Sequence, residues 1–361
     1  MRAIDERCIR AVALVLCAAA FLVPAGGCHR GGGGDDEPTE ALVQGVSLSP
    51  EGFPADYDRI EEFYAEVAEM PRGGVLWNGA WRDDASGGSD SGEIPDAVGA
   101  VMQGAGAYGF TPMVVFGWRS GDTLLLNVPE DPTNDWTNAS ARALFLDMLR
   151  DFAAEHSPPY LFIGNENDMY YTANPTDYLN WVAFYESAYD SLKAAAPSTR
   201  VGTVFNFEHL SGQGKLNGWE VPAWGALESH DLRRIDVLAV TVYPWLHHVH
   251  ASDVPDSYLE PLLERIGTKP LAITETGWPA ENLDGLDPAW ATSEQEQVDW
   301  VERLFSVLLA GLDVRLVNWL FLYPPVDVGM GTDWQLFASV SLRDFDGNAR
   351  PVLESWLALQ E

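Results

Sequence analysis

The chain has 361 residues, with 21 Lys and Arg against 54 Asp and Glu, for a formal net charge of −33. A chain this anionic repels phosphate backbones, which excludes nucleic acid as the expected partner. Its 47 % of hydrophobic residues is too high for a disordered acidic tail, and its length suits one large domain or two ordinary ones. Lys occurs only at Lys193, Lys215 and Lys269, a skew towards Arg that carries no functional signal. The acidity reads as a solvated surface, with salt adaptation as the alternative.

The amino terminus comes first in chain order. All three cysteines, Cys8, Cys17 and Cys28, lie in the first 28 residues. Arg2, Arg7 and Arg10 precede an apolar run from Ala11 to Val23. That run is shorter than the roughly 20 residues a membrane-spanning helix needs, and it fits the apolar region of a secretory signal peptide. It ends in Pro24-Ala25-Gly26-Gly27-Cys28. Small residues before a cysteine resemble the cleavage box of bacterial lipoproteins. The resemblance implies a signal peptide over 1–27, cleavage before Cys28, and lipidation of its thiol and new amino group. Several acyl chains would anchor the protein to a membrane, and His29 after the cysteine implies the outer membrane or cell surface. The other reading is a plain signal peptide cut nearby, with Cys28 lost or free. Residues 28–41, with Gly31 to Gly34 and Asp35-Asp36-Glu37, read as a flexible charged tether. On either reading no cysteine is left to staple the fold, so stability must come from a large core.

From residue 42 to 361 apolar runs alternate with segments of helical length. Strands are predicted at Val43–Leu48, Gly74–Trp77, Thr111–Gly117, Tyr160–Gly164, Arg200–Phe205, Asp236–Val242, Lys269–Thr274 and Val314–Phe321. Helices are predicted at Tyr57–Glu69, Pro95–Tyr108, Ala139–His156, Pro175–Ala195, Pro222–Leu232, Tyr258–Ile266, Ser293–Leu309 and Pro351–Leu359. Runs with little alternation suit strands buried on both faces. Eight β/α units predict an α/β fold, a single (β/α)8 TIM barrel. A doubly wound open sheet is the runner-up, but Ser47-Leu48-Ser49-Pro50 after the first strand is no Gly-rich phosphate turn.

In such barrels the active site lies at the carboxyl ends of the strands. Strand four runs out in Gly164-Asn165-Glu166-Asn167-Asp168, and strand seven in Glu275-Thr276-Gly277-Trp278-Pro279. An acid at the end of an apolar strand is costly to bury unpaired. Two such acids facing one mouth are equipment for glycosidic cleavage, one protonated to donate to the leaving oxygen and one ionised.

Asn165-Glu166 after strand four, with Glu275 after strand seven, resembles clan A of the retaining glycoside hydrolases. Within that clan the two motifs are most similar to the endo-1,3-β-glucanase and arabinogalactan endo-β-1,4-galactanase families. The resemblance implies that Glu166 is the general acid/base and Glu275 the nucleophile, about 5–5.5 Å apart. It implies that Asn165 bonds the sugar 2-hydroxyl and that Tyr243, in Thr241-Val242-Tyr243-Pro244, bonds the nucleophile. Trp319 matches a tryptophan that floors the sugar site, and Arg82 a strand-two arginine near the nucleophile, unless it is a surface ion pair. Trp77, Trp81, Trp118, Trp245 and Trp278 also follow strands, and flat rings suit the apolar faces of a pyranose. Ordinary packing is the competing reading for each. Asn206, at the end of strand five, completes the expected substrate-binding set.

His247, His248 and His250 invite a metal reading, but their spacing matches no zinc-hydrolase motif, so groove or surface histidines are expected and no metal or cofactor. Asp344-Phe345-Asp346-Gly347-Asn348 resembles the start of a calcium loop but lacks its closing glutamate, so a tight turn is expected. The sequence therefore predicts a monomeric, lipid-anchored retaining β-glycosidase, endo-acting on a neutral extracytoplasmic β-glycan. A non-catalytic carbohydrate-binding barrel is the alternative.

Overall fold

Nine parallel strand segments run in the order that a barrel requires, and the two at the ends of the order belong to one strand. The computed structural model describes residues 41–82, 94–120, 123–215, 218–281, 291–326 and 337–359. The expected signal peptide, Cys28 and nearly all of the tether lie outside the described residues. We number the barrel strands β1 (Val43–Ser47), β2 (Gly73–Ala80), β3 (Thr111–Gly117), β4 (Tyr160–Ile163), β5 (Arg200–Gly202 continued by Val204–Asn206), β6 (Leu238–Val242), β7 (Leu271–Thr276) and β8 (Val314–Trp319). All eight coincide with predicted strands. The first half of β5 pairs with β4 and its second half with β6, while β1 pairs with β8 and β2. Only Thr203 interrupts the circuit. Its hydroxyl donates to the Ile163 carbonyl at 2.7 Å, and the next amide, Val204 N–H, bonds the Gly164 carbonyl at 3.3 Å.

Alternation along each strand splits the core in two. Leu76, Met113, Phe162, Val204, Ala239 and Leu316 belong to one small cluster that takes residues from all eight strands and fills the barrel interior. Their neighbours on the other face join the larger cluster under the helices. The helical layer follows the expected segments. Ala139–His156 and Pro175–Ala195 form over the predicted spans, the first with the Asn138 side chain accepting from Ala141 N–H as an N-cap, the second with Pro at its first turn. The segment predicted at Pro222–Leu232 shrinks to Gly225–Glu228, and the one at Ser293–Leu309 ends in a π-turn over Leu304–Leu308. Two short helices, Asn167–Ala173 and Phe207–Ser211, were not expected. They are too short for an apolar period to show, and both begin inside polar motifs.

Packing against the helices draws heavily on tryptophan. Trp118, Trp136 and Trp181 meet at ring distances of 4.8–5.1 Å, and Phe184 closes on Trp136 at 4.8 Å. Arg350, 5 % exposed, clamps the last helix, Pro351–Ala358, by bonding Glu281 at 2.7 Å and Glu294 at 3.0 Å. Among the described residues no helix is long and apolar enough to cross a membrane.

Candidate active site

The interior register decides which side chains reach the barrel mouth. Above the apolar layer of Leu76, Val204, Ala239 and Leu316, the next inward positions are Asn78 on β2, Asn206 on β5, Thr241 on β6 and Asn318 on β8. Asn206 and Glu275 both lie opposite Thr241 in the ladders. Strict alternation from Ala272 would turn Glu275 outward. A register shift between Ile273 and Glu275 inserts one residue, a β-bulge that turns Glu275 in. Thr276 then faces the helices, where it accepts from the Trp300 indole N–H at 3.1 Å.

Glu166 reaches the same layer by another device. It takes the left-handed backbone conformation, φ 48° and ψ 51°, at the start of the helix Asn167–Ala173. For a non-glycine residue this is a strained geometry that its surroundings must hold. Gly164, φ 81°, is required just before it, because a Cβ there would run into the Asn167 amide and the Trp118 indole nitrogen.

Each carboxyl has its own set of donors. Glu275 accepts from the Tyr243 hydroxyl at 3.0 Å and from Asn78 Nδ2 at 2.9 Å, and the Asn165 side chain hydrogen-bonds it as well. Glu166 Oε1 accepts from Asn206 Nδ2 at 2.9 Å and Thr241 Oγ at 2.8 Å. Arg119 donates to the Glu166 carbonyl oxygen at 3.0 Å. Burial pushes both carboxyls above the usual carboxylate range, and the Glu166 charge raises Glu275 further. On Glu166 the nearby Asp168 charge adds to the rise, opposed by Asn206, Thr241 and Arg119. Two neighbouring carboxyls that titrate as a pair share their protons, so they can hold one acid and one base together. The three donors on Glu275 favour the anion there.

Removing the Tyr243 hydroxyl takes away one charge-assisted hydrogen bond. Tyr243→Phe is expected to lower turnover about ten- to a hundredfold and to move the acid limb of the pH–rate profile upward. A wild-type-like profile in steady-state kinetics would contradict this.

Behind the pair lies a buried polar frame. Asp168, wholly buried, accepts from the Asn206 amide N–H at 2.7 Å and pairs with His209 Nδ1 at 2.7 Å. The Asn206 side-chain oxygen accepts from His209 N–H at 3.0 Å. Deeper still, Glu208 is wholly buried, and burial pushes its carboxyl up to about 8. At a pH below about 4.3 the folded and unfolded chains both hold this proton. Between there and about 8 the unfolded chain releases it and the folded chain keeps it, so stability falls as pH rises. Denaturation midpoints are expected to drop from pH 5 to pH 8, with a shallower slope for Glu208→Gln.

The remaining expected site residues divide. Asn165 and Tyr243 stand against Glu275, and Asn206 is engaged by Glu166 and the helix it caps. The tryptophans are corrected: Trp81, Trp118, Trp245, Trp278 and Trp319 are 1 % exposed or less, and Trp77 is 7 % exposed. The reason is alternation. Asn318 faces the interior, so Trp319 faces outward and packs on Trp356 at 5.8 Å. Trp77 likewise neighbours the inward Asn78 and packs edge-on against Phe116 at 5.1 Å. Trp81 and Trp278 spend their indole N–H groups on the Leu125 and Ala291 carbonyls. Arg82 is also corrected: it is buried, donates to Asn127 at 2.8 Å and lies over the Trp81 ring, and the strand-two donor to Glu275 is Asn78. His250 pairs with Glu296 at 2.7 Å. Asp344 gathers the amides of Asp346 and Asn348 into a tight turn. Among the described residues no group of three or more His, Cys, Asp or Glu could hold a metal ion.

Sequence reasoning missed Asn78, Thr241, Asp168, His209 and Glu208. Thr241 stands two residues before Tyr243 and Asn78 two after Leu76, so period-two counting could have found both. Nothing in the sequence distinguishes the buried Glu208 from a surface glutamate.

No protein-family model and no curated protein matches the chain. Solved structures do match in fold. The GH5_18 protein of Bifidobacterium longum subsp. longum, in complex with Manβ1-4GlcNAc, superposes with a TM-score of 0.61 at 16 % identity, over 89 % of this chain and 78 % of that one. An exo-β-1,4-mannosidase from Opitutaceae bacterium strain TAV5 gives 0.63 at 13 %, over 89 % of this chain and 59 % of that larger one. A glycoside hydrolase family 17 β-1,3-glucanosyltransferase from Rhizomucor miehei gives 0.55 at 14 %, over 86 % and 96 %. The chain thus has a TIM-like barrel fold similar to that of clan A glycoside hydrolases.

Proposed function

We propose that the chain is a retaining glycoside hydrolase that cleaves β-glycosidic bonds of an oligo- or polysaccharide by double displacement. One observation carries the reading: two half-buried glutamates, Glu166 just after β4 and Glu275 on β7, meet at one barrel mouth, each held by its own donors. Glu275, with Tyr243, Asn78 and Asn165 on it, is the nucleophile that forms the glycosyl-enzyme. Glu166 protonates the leaving oxygen and then takes the proton from the incoming water. The barrel folds shared with glycosidases and a glycanosyltransferase support this reading.

The test is a screen of aryl β-glucoside, β-mannoside, β-galactoside and β-xyloside with β-1,3-glucan, β-1,4-galactan, mannan and xylan. The first product anomer is followed by NMR. Net retention is expected, and endo action would show as oligosaccharides released from the interior of a polymer. Inverted product would overturn the mechanism. Tight glycan binding without any product would favour a non-catalytic binding barrel. Because two raised carboxyl groups must hold one proton between them, the rate profile is expected to be a bell centred above the usual carboxylate range.

We further propose export as a monomeric lipoprotein anchored through Cys28, supported by Arg2, Arg7 and Arg10, the apolar run and the small residues before the cysteine. Metabolic labelling with a fatty-acid analogue should mark the wild type and spare Cys28→Ser.

A further inference from the structure

We propose that Glu208 is a positioning residue for the nucleophile, its carboxyl holding the backbone turn that aims the Tyr243 hydroxyl at Glu275. The proposal rests on the assignment of Glu275 as nucleophile. Glu208 lies in the short helix after β5, wholly buried, and it reaches no substrate. Its Oε1 accepts two hydrogen bonds, from the Tyr243 backbone N–H at 2.8 Å and from the Tyr258 hydroxyl at 2.8 Å.

The first of these bonds is the informative one. Tyr243 follows the last residue of β6 and leaves the strand with φ −132° and ψ 71°. Pro244 comes next, opens a short 3-10 turn and has no N–H to offer. The Tyr243 amide is therefore the donor that ties this corner down, and a carboxylate-type oxygen takes it. The Tyr243 ring is held by edge contacts with Trp245 and Phe337, and its hydroxyl meets Glu275 at 3.0 Å. Two hydrogen bonds and one residue thus connect the buried Glu208 to the nucleophile.

The chemistry of the carboxyl fits a holder. Oε2 is buried and has no hydrogen-bond partner among the described residues. Both donors thus converge on one oxygen of a carboxyl whose charged form burial disfavours. The groups that face it are Tyr243, Tyr258 and its own backbone N–H, with Glu166 beyond, whose charge also opposes ionisation of Glu208. Glutamine keeps the accepting oxygen, whereas alanine orphans a buried N–H and a buried O–H. Aspartate keeps the carboxyl but draws it back by one methylene.

The test uses the full chain with an aryl β-glycoside that the wild type cleaves. Glu208→Ala and Glu208→Asp should each lower kcat about tenfold or more with KM nearly unchanged, and Glu208→Gln should restore most of it. In the double variant with Tyr243→Phe, the loss should be no greater than for Tyr243→Phe alone. The proposal is overturned if the folded Glu208→Asp protein keeps wild-type kcat, or if its loss multiplies with that of Tyr243→Phe. A carbon-13 NMR titration of the Glu275 carboxyl separates this outcome from failure of the glycosidase reading. With no turnover at all, Glu208→Asp and Tyr243→Phe should still move the Glu275 midpoint upward alike. Movement by Tyr243→Phe alone would overturn the role of Glu208 and leave the nucleophile assignment standing.

Discussion

Replacing Glu275 by glycine is expected to abolish turnover of any β-glycoside that the wild type cleaves, by about 10⁴-fold or more. That loss corresponds to roughly 5.5 kcal/mol of transition-state stabilisation. The reason is the absence of a second route. With the nucleophile gone, no glycosyl-enzyme forms, and a water in its place is a far weaker attacker held by nothing. The cavity left on that face admits a small anion. Azide added to Glu275→Gly with an activated aryl β-glycoside should therefore attack directly and yield the α-glycosyl azide. Glu166→Gly behaves differently under the same reading. An activated leaving group needs little acid help, so the glycosyl-enzyme still forms and accumulates. Azide then enters from the β face and yields the β-glycosyl azide. Product anomers read by NMR thus assign the two glutamates independently. Full activity in Glu275→Gly, or the opposite pairing of azide anomers, would reverse or sink the assignment.

Asp168→Ala is expected to cost stability and activity together. Asp168 is wholly buried and meets three polar groups: His209 Nδ1, the Asn206 amide and, on its own helix, the Thr172 hydroxyl that donates to its backbone carbonyl. Removing one partner of a buried hydrogen-bonded pair typically costs about 1–3 kcal/mol, because the other is left desolvated and unsatisfied. Here the orphan is His209, whose other nitrogen faces Thr172 and whose ring packs on Trp219 at 5.0 Å. Urea unfolding of Asp168→Ala should show that loss. Replacing both partners by apolar residues, Asp168→Leu with His209→Leu, should recover a large part of the stability. It should not recover activity, because the Asn206 amide remains untethered and Asn206 is one of the two donors that hold the Glu166 carboxyl. Equal recovery of both would show that Asp168 serves the fold alone.

The Glu208 proposal and the Asp168 pair describe one design. Neither residue touches the barrel mouth, and each controls a donor that does. Asp168 fixes Asn206 for Glu166, and Glu208 fixes Tyr243 for Glu275. Both follow strands of apolar character, and both are buried acids whose expense is accepted because a reacting carboxyl needs a defined position.

Local order along the chain was enough to place the eight strands, the long helices and the two glutamates. Strand runs such as Thr111–Gly117 and helices such as Pro175–Ala195 declare themselves through composition, length and capping residues, which are short-range properties. The two glutamates stand out because an acid where an apolar strand ends conflicts with burial, and a conflict is visible without coordinates. What could not be read was orientation. Trp319 and Asn318 are adjacent, and which of them enters the barrel depends on the parity of the whole circuit, set by pairing with β1 and β7. Glu275 faces inward only because of a bulge one residue earlier, and a bulge is a property of two strands. The tryptophans looked like an open aromatic rim, yet the helices cover them, since the width of the helical layer is a three-dimensional fact. Asn78, Thr241 and Glu208 gained their partners from residues between 35 and 197 positions away along the chain. Short-range physics placed the acids at the ends of their strands. Long-range packing chose the donors that meet them, because a hydrogen bond in the interior exists only where two distant backbones agree on a few tenths of an ångström.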